Sequence, residues 1–312
     1  MQSRLAVKIG RLKLKNPVVL SSGTFGYGEE LAGLADIKKI GAIVSKTITI
    51  KPRRGNPPPR TVETPCGLLN SIGLENPGVE AFINEKLPVL KGFGIPVIVS
   101  IASESGLSEF VELSLRLERA AGVAAIELNI SCPNIRDSRC GRYGGLPLIS
   151  QDAGATYKLV RAVRRATRKI LITKLSPNVT CISDIARAAE DAGSDAVSLI
   201  NTVSGMSIDV SNRTPRLGVV TGGLSGPAIR PIAVRMTWEV YQKIRIPIIA
   251  MGGIIDASSA LEFIIAGATA VSIGTANFIN PRAPQEIVTG INAYLRRSKT
   301  PSLRQLIGSL EV

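Results

Sequence analysis

Short apolar runs recur along the chain and alternate with longer stretches of mixed character. Several runs consist almost wholly of Val, Ile, Leu and Ala, which is typical of strands buried on both faces of a parallel sheet. The pattern therefore predicts eight buried strands. They lie at residues 18–22, 42–47, 96–101, 125–131, 170–175, 196–201, 246–250 and 270–273.

Most of the stretches between these runs are long enough for a crossover helix. In residues 107–121, Phe110, Leu113, Leu117 and Ala120 recur at spacings of three and four, while charged residues occupy a neighbouring face. This spacing predicts an amphipathic helix. Strands that alternate with such helices indicate an α/β protein.

A strand followed by a helix, repeated about eight times in 312 residues, predicts a single (β/α)₈ (TIM) barrel domain that spans residues 1–312. A doubly wound open sheet is the alternative. The barrel is favoured because polar residues stand at the carboxyl ends of the strands, and these ends converge on one face only in a barrel. Residues 1–16 alternate apolar and basic positions, which predicts a short N-terminal β-hairpin. Residues 51–78 are rich in Pro and Gly and predict a long active-site loop.

Two lysines, Lys46 and Lys174, stand at the ends of buried strands. An unpaired ammonium is costly there, so each lysine is expected to face an anion or an electron-rich ring, unless it reaches solvent beside its strand. Amide side chains near the same strand ends suit a planar, amide-rich ligand, although asparagines also serve turns. These amides are Asn70, Asn129, Asn134 and Asn201.

Glycine motifs follow the last two predicted strands, at residues 251–254 (MGGI) and 273–276 (IGTA). The loops after the seventh and eighth strands of a barrel frequently hold a phosphate on backbone N–H groups. Tight turns are the alternative explanation for either motif alone. A third motif, TGGLSG at residues 221–226, favours a phosphate site.

Cys132 follows a predicted strand and is succeeded by Pro133 and an arginine-rich loop with Arg136, Arg139 and Arg142. A thiol among cations can act as a thiolate or proton acceptor. A redox disulfide with Cys140 is the rival interpretation. The other two cysteines, Cys66 and Cys181, are expected to be small buried hydrophobic residues.

Composition excludes several classes of function. The chain has no histidine, which excludes histidine-based triads and metal sites, and no metal is expected. The formal net charge of +14 is dispersed without aromatic interleaving, so an anionic ligand or acidic partner is favoured over nucleic acid. Cysteines without a Cys-x-x-Cys pair, and apolar runs too short to span a membrane, predict a soluble cytoplasmic protein with reduced thiols.

Long motifs that follow one another in order along the chain resemble the dihydroorotate dehydrogenase family. The resemblance covers essentially the whole sequence. The motifs are SSGTFGYG (21–28), KPRRGNPPPRTVETPCGLLNSIGLENPGVE (51–80), ELNISCPN (127–134), KLSPN (174–178), INTVSGMSID (200–209), TGGLSGPAIRP (221–231), IPIIAMGGI (246–254) and IGTANF (273–278).

This resemblance implies an FMN-containing barrel that oxidises dihydroorotate to orotate in pyrimidine synthesis. Cys132 would take a proton from C5 of the substrate while hydride leaves C6 for flavin N5. The substrate would be held by Lys46, Asn70, Ser71, Ile72, Gly73, Leu74, Asn129, Asn134, Asn201 and Thr202. FMN would be held by Ser22, Lys46, Thr47, Asn129, Lys174, Ile200, Gly226, Gly252, Gly253, Gly274 and Thr275.

Within the family, ETPCGLLNSIGLENPG at residues 63–78 resembles the soluble NAD-linked class, class 1B. Members of that class pass electrons to a subunit that carries FAD and an iron–sulfur cluster, and a homodimeric catalytic core is expected. Three features depart from the family pattern. Ser100 stands where an asparagine near the flavin is usual, Cys66 stands where glycine or alanine is usual, and the loop at residues 136–143 is unusually basic.

Two alternative functions remain at this point. A related flavin-dependent dihydropyrimidine oxidoreductase would act on uracil-like rings and would not require a substrate carboxylate. A barrel that binds FMN without turnover would not need a proton acceptor, so the combination of Cys132, Lys46 and Lys174 argues against it.

Overall fold

The computed structural model describes residues 4–29, 33–34, 36–131 and 149–311. The strands in this part of the chain are β1 (Val7–Ile9), β2 (Leu12–Leu14), β3 (Val18–Leu20), β4 (Ala42–Val44), β5 (Thr61–Thr64), β6 (Gly67–Asn70), β7 (Val97–Ile101), β8 (Val123–Asn129), β9 (Ile170–Lys174), β10 (Ala196–Leu199), β11 (Val203–Gly205), β12 (Ile208–Asp209), β13 (Thr214–Pro215), β14 (Gly222–Ser225), β15 (Ile248–Ala250) and β16 (Ala270–Ile273).

The helices in the same part of the chain cover the outside of the barrel or follow its strands. They are α1 (Gly78–Ala81), α2 (Leu87–Gly92), α3 (Leu107–Arg119), α4 (Ala153–Ala166), α5 (Ile182–Asp191), α6 (Arg230–Tyr241), α7 (Ala257–Ile265), α8 (Ala276–Ile279) and α9 (Ala283–Arg297). A π-helical segment, Phe82–Lys86, lies between α1 and α2. No helix among the described residues is both long and apolar enough to cross a membrane.

Eight parallel strands close into a barrel in the order β10-β15-β16-β3-β4-β7-β8-β9. Each corresponds to one of the eight predicted apolar runs, and the predicted (β/α)₈ barrel is confirmed. The closed barrel excludes the doubly wound sheet. The strands are buried along nearly their whole length because barrel side chains on one face and helices on the other exclude water from both.

Helix α3 shows why the helices between the strands form where they do. The predicted helix began at residue 107, where α3 begins, and its periodic residues Phe110, Leu113 and Leu117 are buried against the barrel. The charged side chains lie on the solvent side, where Arg116 pairs with Glu112 one turn away. The apolar face therefore supplies the packing energy and the charged face keeps the helix solvated.

A second sheet, which we call the cover sheet, consists of β11, β14, β6 and β5. Strands β5 and β6 form a hairpin inside residues 51–78, a region that the prolines and glycines indicated to be mostly irregular. The hairpin forms because β6 pairs on its other side with β14, which comes from the loop after β10. The predicted N-terminal hairpin is present as β1 and β2.

Candidate active site

A cavity of about 340 Å³ opens at the carboxyl ends of the barrel strands, between the barrel and the cover sheet. This volume is within the range of small-molecule and cofactor sites. Most of the residues expected to bind substrate or cofactor lie in its wall. They are Ser22, Lys46, Thr47, Asn70, Ile72, Gly73, Leu74, Asn129, Lys174, Ile200, Asn201, Thr202, Gly226, Gly252, Gly253, Gly274 and Thr275.

The other expected site residues are placed differently. Ser71 is buried outside the cavity wall, and its hydroxyl accepts a hydrogen bond from the amide of Asn56 at 2.8 Å. Cys132, Asn134 and Cys140 lie outside the described residues. The basic loop at residues 136–143 also lies outside them.

Lys46 reaches the cavity beside an acidic side chain that sequence reasoning did not single out. The Nζ atom of Lys46 lies 3.9 Å from Oε2 of Glu75, and the same oxygen accepts a 2.7 Å hydrogen bond from Arg60. Both Lys46 and Glu75 line the cavity. The Glu75 carboxylate is therefore shared by two cations at one side of the site, which limits the directions that the Lys46 ammonium can take.

Lys174 lies deeper than Lys46, with only 7% of its side chain exposed. Its Nζ atom is 4.0 Å from Oε1 of the buried Glu127. The lysine does not reach solvent beside its strand, because it faces the cavity. A buried carboxylate thus balances the charge of a cavity-lining ammonium.

Hydroxyl and amide groups connect neighbouring strand ends across the floor of the cavity. The Thr47 hydroxyl lies 3.2 Å from that of Ser22 and accepts a 3.1 Å hydrogen bond from the Asn129 amide. Asn201 donates to the Ser131 hydroxyl at 2.9 Å, and Ser131 donates to Asn129 at 3.3 Å. These bonds hold both asparagines in defined orientations toward the cavity, as a site for a planar polar ring requires.

The structure describes two of the residues that depart from the family pattern, Ser100 and Cys66. Ser100 is fully buried and does not line the cavity; its hydroxyl lies 2.9 Å from the hydroxyl of Thr47, which does. Ser100 therefore acts on the cavity through Thr47. Cys66 is exposed, as is Cys181, so the expectation that both are buried hydrophobic residues is wrong. Cys66 lies just before β6, and Cys181 lies just before α5.

Three glycines shape the end of the cavity predicted to hold a phosphate. Gly226, Gly252 and Gly253 have φ values of 93°, 128° and 76°, which side chains rarely allow. A Cβ atom on Gly253 would lie 2.8 Å from the carbonyl oxygen of Gly226, so the two loops approach closely only without one. Beside them, the Thr275 hydroxyl donates to that of Ser225 at 2.8 Å.

Helix α7 begins just after this glycine loop, at a capping box formed by Asp256 and Ser259. Hydrogen bonds from the Ser259 hydroxyl and backbone N–H hold the pKa of Asp256 below its ordinary value of 3.8. Because the folded pKa is lower, the carboxylate stabilises the fold above about pH 4 and this stabilisation is lost as the pH falls through the folded pKa.

We expect Asp256→Ala to lower the free energy of unfolding by about 1 kcal/mol at pH 7, as loss of a helix N-cap typically does. The difference from the unsubstituted protein should shrink below about pH 4. Urea unfolding at both pH values measures it. Ser258→Ala, which keeps the capping box, is the control, and an equal loss in both variants would contradict the assignment of the cap.

Several cavity residues were not among the sequence candidates. They include polar groups on the strands and loops already named and three exposed apolar side chains at the mouth, Ile255, Phe278 and Ile279. Large apolar residues within three positions after the glycine motifs at residues 251–254 and 273–276 were the available signal for these three. Glu75, in contrast, gave no signal apart from its position in the long loop.

The cavity fits FMN in its donor set. Lysine ammonium groups and asparagine amides surround its deep part, as a polar ring system with carbonyl and N–H groups requires. The opposite end has the glycine loops and hydroxyls that suit a phosphate. Among the described residues, no group of three or more acidic or cysteine side chains could hold a metal ion.

Comparisons with known proteins agree with this geometry. The family model for dihydroorotate dehydrogenase matches residues 4–295. Three similar proteins are each named dihydroorotate dehydrogenase B (NAD(+)), catalytic subunit. That of Trichlorobacter lovleyi is 50% identical over 311 residues, 100% of both chains; those of Desulforudis audaxviator and Caldicellulosiruptor bescii are each 52% identical, over 99% of this chain and 98% and 99% of theirs. The chain therefore belongs to the dihydroorotate dehydrogenase family, whose FMN-dependent oxidoreductases convert dihydroorotate to orotate in pyrimidine biosynthesis.

Proposed function

We propose that residues 1–312 form a single catalytic domain that oxidises (S)-dihydroorotate at the mouth of the barrel, with Cys132 as the base. The observation that carries the proposal is the convergence of two lysines and three asparagines on one cavity. An anionic substrate with ring amide groups requires this combination of cations and amides.

In this proposal, the residues of the substrate pocket divide between charge and shape. Lys46 holds the substrate carboxylate, while the amides of Asn70, Asn129 and Asn201 pair with the carbonyl and N–H groups of the ring. The Asn70 amide already donates to the Gly223 carbonyl at 3.1 Å, so its orientation is set by the cover sheet. Thr202 and residues 72–74 line the cavity and complete the pocket, and Ser71 and Asn134 remain proposed substrate contacts.

Cys132 takes the proton from C5 of dihydroorotate, which prepares the C5–C6 bond to become a double bond. When bound, FMN supplies the acceptor for the hydride that leaves C6. Lys174 and the glycine loops hold the cofactor, together with the remaining candidate residues of the cavity wall. Asn129 and Asn201 keep the substrate ring in one orientation throughout.

Anaerobic mixing of the purified FMN-loaded protein with dihydroorotate tests this function. We expect rapid bleaching of the flavin absorbance by dihydroorotate and much slower bleaching by dihydrouracil, which lacks the carboxylate. NADH is the second control. Faster bleaching by dihydrouracil would instead assign the chain to the dihydropyrimidine oxidoreductases, and no bleaching by either would leave a binding role.

We propose that the chain acts in the cytoplasm as one subunit of an NAD-linked enzyme. Its relatives support the second part, because they are named as the catalytic subunit of dihydroorotate dehydrogenase B (NAD(+)). Electrons would leave through a partner subunit that carries FAD and an iron–sulfur cluster, and the catalytic core would be a homodimer. A candidate docking surface for the partner is the trio Ile255, Phe278 and Ile279, exposed by 42%, 58% and 77%. These side chains line the cavity mouth, so a partner seated on them would be close to the cofactor.

Phe278→Ser combined with Ile279→Ser should weaken binding of the purified electron-transfer subunit at least tenfold, because large apolar side chains at the centre of an interface carry most of its affinity. Calorimetry or surface binding measures the dissociation constant. Leu115→Ser, at an exposed apolar position on α3, is the control. Equal affinity in all three proteins would place the partner elsewhere. Steering by the basic surface further predicts a dissociation constant that rises with salt.

A further inference from the structure

Glu127 is a buried carboxylate inside the barrel. The proposed oxidation of dihydroorotate does not use it. It lies on β8 two residues before Asn129, so the two side chains are on the same face of the strand. Only 1% of Glu127 is exposed. The residue therefore stands one layer below the cavity floor.

The two carboxylate oxygens of Glu127 have different surroundings. Oε2 accepts a 2.9 Å hydrogen bond from the Ser198 hydroxyl on β10. Oε1 has no hydrogen-bond partner, and Lys174 Nζ on β9 lies 4.0 Å away, within reach of an ion pair but beyond a hydrogen bond. Three adjacent barrel strands thus supply one buried cluster, which we call the charge cluster: Glu127, Lys174 and Ser198.

A buried carboxylate is costly to retain unless it is paired, so its presence has to be explained by what it does to the lysine. Lys174 is the only member of the charge cluster that lines the cavity. Without Glu127, the Lys174 ammonium would stabilise negative charge on a group bound in the cavity. Glu127 opposes this effect, because the Coulomb repulsion between its carboxylate and such a charge is weakly screened in a poorly solvated interior.

We propose that Glu127 is a positioning residue that holds the Lys174 ammonium at the cavity floor and lowers the reduction potential of bound FMN. This inference rests on the proposed contact between Lys174 and the flavin. Reduction adds electrons to the flavin, so a fixed negative charge nearby makes reduction less favourable. A lower potential makes it easier for the reduced flavin to pass its electrons to an acceptor of low reduction potential. A site that contained cations alone would hinder this transfer.

The midpoint potential of the bound flavin, measured anaerobically against a reference dye, tests the inference without measuring turnover. Glu127→Gln keeps the size of the side chain and removes its charge, so the potential should rise. We expect the ratio of reduced to oxidised flavin at a fixed potential to increase about tenfold, which is about 30 mV for a two-electron couple. An unchanged or lowered potential would overturn the inference.

A second variant should shift the potential in the opposite direction and does not remove a charge. Ser198→Ala removes the hydroxyl whose hydrogen bond offsets part of the Glu127 charge. The potential should therefore fall, and the ratio of reduced to oxidised flavin at a fixed potential should decrease about twofold. This result remains decisive if Glu127→Gln does not fold, and an unchanged or raised potential contradicts the inference. Ser114→Ala, which removes an equally buried hydroxyl from α3, is the control and should leave the potential unchanged.

Lys174→Met separates a failure of this inference from a failure of the proposed function. If Lys174 faces the flavin, the loss of its ammonium lowers the potential. An unchanged potential in Lys174→Met would refute the proposed position of the cofactor, and the inference with it. A lowered potential in Lys174→Met with no change in Glu127→Gln would refute the role of Glu127 alone.

Discussion

Cys132→Ala should slow the reduction of bound FMN by dihydroorotate about 10²- to 10⁴-fold, the usual contribution of a positioned general base. The yellow, FMN-loaded protein should still form, because the described residues of the cavity wall already supply the groups that suit the cofactor. Anaerobic stopped-flow mixing measures the rate directly. The residue just before Cys132, Ser131, is buried and hydrogen-bonded to Asn129 and Asn201, the two amides that we propose hold the substrate ring.

Cys132→Ser is the matched conservative variant. A hydroxyl gives up its proton less readily than a thiol, so some activity should remain and should increase toward higher pH. Cys181→Ala changes an exposed cysteine before α5, and its bound FMN should be reduced as fast as in the unsubstituted protein. If dihydroorotate reduced the FMN of Cys132→Ala as fast as that of the unsubstituted protein, the base would be another group.

Gly67→Ala should lower the melting temperature of the protein and weaken its retention of FMN. A Cβ atom on Gly67 would lie 2.1 Å from the carbonyl oxygen of Ser225 on the neighbouring strand of the cover sheet. The backbone cannot avoid this contact without separating β6 from β14, and overpacking of this kind costs about 1–3 kcal/mol. Because both strands line the cavity, the separation should also raise the dissociation constant for FMN.

Gly92→Ala is the control for Gly67→Ala. Gly92 is the last residue of α2, and a Cβ atom added there meets nothing within 4 Å. The substitution should leave FMN binding unchanged. Stability should be equal or slightly higher, because alanine has a higher helix propensity than glycine. Thermal unfolding and ultrafiltration of the released flavin measure both effects. Unchanged stability in Gly67→Ala would mean that the cover sheet accommodates the methyl group.

The barrel could be predicted from the sequence because each of its strands is an apolar run. Barrel strands are buried on both faces, so the run itself carries the signal, and α3 was predicted at its first residue for the related reason of its periodic apolar face. The polar residues that end the strands could be predicted to meet because a barrel brings those ends together.

The cover sheet could not be predicted in the same way. Its strands β6 and β14 contain several glycines, and they are joined by backbone hydrogen bonds between distant parts of the chain rather than by a large apolar face. Val62, Leu69 and Leu217 are its small buried cluster. A pairing that depends on backbone contacts leaves little trace in residue type.

The charge cluster was missed for a different reason. Glu127 stands within an apolar run, where its charge is visible, but its partner is on another strand. The register of β8 against β9, which aligns Asn129 with Lys174, decides which side chains meet, and register is set by the closed barrel. Ser71 likewise follows the cover-sheet strand β6 and faces Asn56.

Closure of the barrel has a consequence for how the protein is made. The last barrel strand, β16, pairs with the first, β3, and Ser272 contacts Ser21 from 251 residues away in the sequence. During synthesis, the barrel therefore has two open edges until β16 has left the ribosome, and such edges can pair with other chains. Because Gly274 and Thr275 follow β16 and line the cavity, the cavity that we propose binds FMN is also incomplete until then. Loading with FMN is thus expected after synthesis of nearly the whole chain, and a supply of free FMN at that moment should favour correct folding over aggregation.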